Sequence, residues 1–101
     1  ATIAEDAFLW YFSAALAIRE NDPAGARQAI ARALSLAPND ATTLFEAGHV
    51  AHFANDLTAA RDYWTRASAA DPEGKSGEAA REALALLDAP AKVQSPAPVT
   101  N

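Results

Sequence analysis

The sequence predicts an all-α fold of about five short antiparallel helices, and three observations carry that prediction. Half of the residues are hydrophobic, yet many of these are alanine rather than Leu, Ile or Val, a composition that favours closely packed helices. Helix-breaking clusters at Asn21-Asp22-Pro23, Pro38-Asn39-Asp40, Asn55-Asp56 and Pro72-Glu73-Gly74 cut the chain into helix-length segments. Asp6, Asp22, Asp40 and Asp56 each stand before one of these segments. There a carboxylate accepts from free backbone N–H groups and complements the positive end of the helix dipole, at about 1 kcal/mol per cap. Pro23 follows its cap at the first helical position, where a missing N–H is not needed.

The punctuation is periodic. Asp6 and Asp40 (40 − 6 = 34), Asp22 and Asp56 (56 − 22 = 34) and Pro38 and Pro72 (72 − 38 = 34) share one spacing. Sliding the chain by that period sets Trp10 on Leu44, Ala14 on Gly48, Ala17 on Ala51, Ala26 on Ala60, Ile30 on Trp64 and Ala33 on Ala67. Large residues fall on large and small on small. Short side chains such as Gly48 and Ala60 let two helix axes approach closely. The units run over 7–40 and 41–74. After Gly74, Glu78, Arg81 and Glu82 replace apolar positions, while Ala80, Ala83, Leu84 and Leu87 keep one apolar stripe at helical spacing. A closing helix over 76–87 follows, with Ser76 as its cap. The domain so defined covers 1–88, and the Pro- and Ala-rich stretch 89–101 is expected to be disordered.

The order Leu44, Gly48, Ala51, Ala60, Trp64, Ala67, Pro72 resembles the signature of the tetratricopeptide repeat. The first unit matches less closely, with Ser13, Ala14 and Ile30 where leucine, glycine and an aromatic are usual. The resemblance implies a solenoid of α-α hairpins forming a superhelix, whose first helices line a concave groove for a peptide. Carried over by position, that groove holds Phe8, Tyr11, Ala15, Ile18 and Arg19 from the first unit. The second unit contributes Thr42, Phe45, His49, His52 and Phe53. Tyr11, Ala15, Phe45 and His49 stand where some members grip a terminal carboxylate with lysines and an asparagine, so that mode of binding is not expected. An aromatic face suits an apolar peptide or amphipathic helix instead. Phe45, Phe53 and Tyr11 have a second reading, as packing between adjacent units.

The first helix carries a separate signal. Phe8, Leu9, Trp10, Tyr11, Phe12, Leu16 and Ile18 surround nearly its whole circumference, and a helix apolar all round is normally covered all round. An upstream repeat, a second copy or a foreign helix would supply the cover. Leu9, Phe12 and Leu16 are the candidate self-association residues, through which the chain would act as a structural module, a homodimer or a piece docked on further repeats.

Other functions find little footing. The formal net charge is −5 and the basic residues are scattered, which argues against nucleic acid. Cysteine is absent, so thiolate metal sites and disulfides are excluded. His49 and His52 share a helical face with Glu46 one turn before His49, a spacing some metal sites use. Groove-facing hydrogen-bond partners are the plainer reading, and neither a metal nor a cofactor is expected. No Ser-His-acid set or sheltered carboxylate pair points to catalysis, and Gly74-Lys75-Ser76-Gly77 follows a helix, not the strand a phosphate loop requires. The longest apolar stretch, 7–18, falls short of the ~20 residues that span a bilayer. The chain lacks methionine and begins at Ala1, which predicts that at least a start residue has been removed. The compartment stays open between cytoplasm and periplasm, the soluble part of an anchored protein included. The expected role is a protein-interaction module in a bacterial assembly or scaffold, the alanine content suggesting a GC-rich genome.

Overall fold

The computed structural model describes residues 2–88, and the tail expectation for 89–101 lies outside them. Over the described residues the protein is all-α, with five helices in chain order. These are α1 (Ile3–Arg19), α2 (Pro23–Leu36), α3 (Ala41–Phe53), α4 (Leu57–Ala70) and α5 (Lys75–Leu87). None of the described helices is long and apolar enough to cross a membrane.

Three of the expected caps are in place. The carboxylates of Asp22, Asp40 and Asp56 accept from the backbone N–H groups of Gly25, Thr43 and Ala59 at 3.0, 2.9 and 3.1 Å. Asp6 is not a cap. The first helix begins a full turn earlier than that expectation requires, because Thr2 and Glu5 form a reciprocal capping box, which satisfies two free donors at once. Asp6 lies instead in the first turn of α1. Ser76 is not a cap either. Gly74 holds the N-cap position of α5 without a side-chain bond, and Asp71 reaches forward to accept from Gly77 N–H at 3.3 Å.

The turns inside the two hairpins are the same turn. Asn21 and Asn55, which occupy matching positions of the two units, have φ of 59° and 64°, the left-handed conformation that asparagine tolerates after a helix end. In each, the following aspartate donates its N–H back into the preceding helix, Asp22 to Ala17 O and Asp56 to Ala51 O, both at 2.8 Å.

The helices pair as α1 on α2 and α3 on α4, α5 packs chiefly on α4, and α3 also meets α1, α2 and α5. Two alanine-rich clusters form the core. The first joins Ala14 and Ala17 of α1 to Ala26, Ala29, Ile30 and Ala33 of α2 and to Ala47 and Val50 of α3. The second joins Leu44 and Ala51 of α3, Ala60, Trp64 and Ala67 of α4 and Ala80 of α5, with Ala83, Leu84 and Leu87 against it. Leu34 and Tyr63 touch both clusters and bridge them. The space above Gly48 is filled by the indole of Trp64, with which an added Cβ would collide.

Candidate functional site

The face built from α1, α3 and α5 holds the candidate groove, and its residues divide into those used for packing and those left open. Tyr11 and Ile18 are half-buried against the first cluster. The Tyr11 hydroxyl is held above its ordinary pKa, first by burial and then by the negative charges of Asp40 and Glu46. Ala15 is half-buried and Arg19 exposed. Phe8 is 48% exposed, edge-on to Tyr11 at 5.2 Å and stacked with Phe12 at 6.0 Å.

On α3 the Thr42 hydroxyl is taken up by Ser76 of α5 at 2.9 Å, so it ties two helices together. Phe45 is half-buried against the second cluster, and its carbonyl accepts from the Trp64 indole N–H at 3.1 Å. Phe53 is likewise half-buried. Tyr11, Phe45 and Phe53 are thus shared between packing and any open face, and Tyr11 and Phe45 lean on the core.

His49 and His52 are exposed. Both rings lie against Trp64, His49 edge-on at 5.7 Å and His52 tilted at 5.9 Å, and His49 also rests on Phe45 at 4.4 Å. Its Nδ1 stands 3.8 Å from Glu46. Among the described residues no group of three or more His, Cys, Asp or Glu side chains converges as metal ligands would.

These histidines form one wall of a hollow of about 490 Å³. Leu57 and Trp64 of α4 and Ala83, Leu86 and Leu87 of α5 complete its lining. The hollow lies where α5, packed chiefly on α4, faces α3, and Arg61 of α4 forms an ion pair with Asp88 at the end of α5. The arrangement offers an aromatic and aliphatic recess with imidazole hydrogen-bonding groups on one wall, a chemistry suited to receiving an apolar side chain. The α5 side of this lining is absent from the sequence-based groove. A signal for it was present: Ala83, Leu86 and Leu87 stand one repeat period after His49, His52 and Phe53.

Comparison of the chain with protein-family models, with curated proteins and with solved structures gives no match.

Proposed function

We propose that this chain is a tetratricopeptide-like helical-repeat module that binds an apolar peptide or the apolar face of an amphipathic helix, with its principal pocket in the hollow between α3 and α5. Supporting the repeat reading are the left-handed asparagines and paired aspartate caps, which recur at the same spacing, with small and large residues at matched core positions. The observation that carries the binding reading is the hollow itself, about 490 Å³ with Trp64 in its lining and His49 and His52 on one side. One leucine or phenylalanine side chain of a partner would be desolvated there, a gain of about 1.5–3 kcal/mol. Two imidazoles stand ready for its backbone. Against an association cost of about 4–15 kcal/mol, that gain alone does not hold a partner, and further apolar contacts along the aromatic face are needed to reach even micromolar affinity. The role is one of assembly or scaffolding, with no chemistry on the ligand and no cofactor.

The test is a titration with synthetic Leu- and Phe-rich amphipathic peptides, followed through the two tryptophan indole N–H resonances. The Trp64 signal and the backbone amides of His49, His52 and Ala83 should shift, while the Trp10 signal stays still. Ala83→Arg, which fills the hollow from a half-exposed position, should abolish the response with helix content unchanged. Peptides that leave Trp64 untouched, or that bind Ala83→Arg equally well, would refute the assignment.

A further inference from the structure

We propose that α1 is a homodimerisation helix, which packs antiparallel against α1 of a second copy about a two-fold axis near Phe12. The inference concerns a surface separate from the hollow between α3 and α5, and stands independently of it.

The helix has two opposed apolar faces. One is internal, with Ala7 2%, Ala14 0% and Ala17 8% exposed. The other is bare: Leu9 is 59% and Phe12 51% exposed, and Leu16 39%. The second hairpin shows what such positions do when covered. Thr43, Ala47 and Val50 of α3 are buried, Ala47 and Val50 in the cluster shared with the first hairpin. Their counterparts one repeat period earlier are Leu9, Ser13 and Leu16, all exposed. The chain therefore places larger apolar groups at two uncovered positions than at the matching covered ones, the reverse of what a solvent-facing helix needs.

The identity of the cover follows from charge. The exposed stripe along α1 reads Glu5, Leu9, Phe12, Leu16, Arg19, spaced by four and three residues and so confined to one face. Reversed about Phe12, it matches itself. Leu9 and Leu16 lie three and four residues to either side, and Glu5 and Arg19 both lie seven residues away, about 10.5 Å along the axis. Glu5 sits in the first turn and Arg19 in the last. A parallel pairing would set glutamate on glutamate and arginine on arginine. The antiparallel one sets each glutamate toward an arginine and opposes the two helix dipoles. This is the self-complementary surface an isologous contact requires. Stacking head-to-tail on the far end of the molecule is disfavoured, since α5 carries exposed Glu78, Arg81 and Glu82, whose charges would be stripped of water against leucine and phenylalanine. A shallow recess of about 240 Å³ among Asp6, Leu9, Trp10 and Ser13 flanks the stripe and gives an incoming leucine a seat.

The experiment is the solution mass of the full chain by sedimentation and light scattering, up to about 1 mM. A reversible dimer is expected. Phe12→Glu should weaken it by at least about 100-fold with the helical circular dichroism unchanged. Arg19→Glu should weaken it by about tenfold and Glu5→Lys, which also opens the Thr2–Glu5 cap, by at least as much, and an equimolar mixture of those two variants should form a heterodimer tighter than either alone, because every end pair is again unlike. A monomer at the highest concentration overturns the proposal, as does a dimer indifferent to Phe12→Glu. A mixture no tighter than either charge variant alone overturns the antiparallel arrangement.

Discussion

The two hairpins solve one packing problem with different residues. Where the first pairs Ala14 with Ile30, the second pairs Gly48 with Trp64 at the matching positions of the repeat, and all but the glycine belong to the two core clusters. As the residue on the second helix grows from isoleucine to tryptophan, the one on the first shrinks from alanine to glycine. What the two units share is therefore a volume divided between two helices, and either residue is intelligible only with its mate. The larger ring brings a polar edge with it, and the Phe45 carbonyl accepts the indole N–H at 3.1 Å. It also gives α4 an aromatic surface that reaches the candidate site, which the isoleucine of the first hairpin does not provide.

Substitutions that exchange these solutions would break the comparison, the largest effect coming first. Trp64→Ala should destabilise the fold by about 3–5 kcal/mol, whereas Ile30→Val in the other hairpin should cost about 0.5–1.5 kcal/mol, both read from urea midpoints. Gly48→Ala alone forces a methyl group into the indole and should cost about 1–3 kcal/mol. Combined with Trp64→Ile, which recreates the first hairpin's pair, the glycine substitution should become nearly neutral or stabilising. A double-mutant cycle showing coupling of less than about 0.5 kcal/mol would sink the volume-sharing account. Capping sharpens the contrast further. Asp22→Ala and Asp56→Ala should each cost about 1 kcal/mol, and Asp40→Ala more, because Asp40 also accepts from the hydroxyl of fully buried Thr43 at 2.9 Å, which would be left without its partner.

The smallest effect is a pH dependence at the α4–α5 end. The hydrogen bond from Arg61 holds the Asp88 carboxyl below its ordinary value; desolvation opposes it, and the charge of Arg61 adds a smaller pull in the same direction as the hydrogen bond. A depressed carboxylate contributes stability above its unfolded pKa and loses it as pH falls through the folded one. Amide exchange near the end of α5 should thus quicken at acid pH, and Asp88→Asn should remove that dependence while leaving the first hairpin unaffected.

The division of the chain into helices was legible because its signals are local. Asp22, Asp40 and Asp56 bond groups three residues ahead, and a sequence displays such spacings directly. Asp6 misled because periodicity favoured it over the Thr2–Glu5 pair, a reciprocal cap equally visible but outside the repeat. The cap of α5 was not legible: Asp71 acts from six residues before Gly77, which no local motif encodes. For the site, the resemblance to the repeat family pointed to one wall, His49 and His52, and the 34-residue spacing offered the other, Ala83 and Leu87, which the charges at Glu78, Arg81 and Glu82 made easy to pass over. The part played by Trp64 had no sequence signal. It depends on how α5 is seated on α4 and faced toward α3, a tertiary arrangement that includes the Arg61–Asp88 ion pair and the close approach of Gly77 to the Asp71 carbonyl.

Among the described residues, the backbones of α1 and α2 do not approach α5 closely, nor does that of α2 approach α4. Most contacts between helices thus join neighbours in the chain, which keeps the loops to be closed short, and folding is expected in the microsecond-to-millisecond range of helical proteins. The same sparseness limits how far damage spreads. A lesion that frees α5 leaves the first hairpin's amides protected, so the molecule should come apart from its ends inward and keep α3, the helix that touches every other, until last.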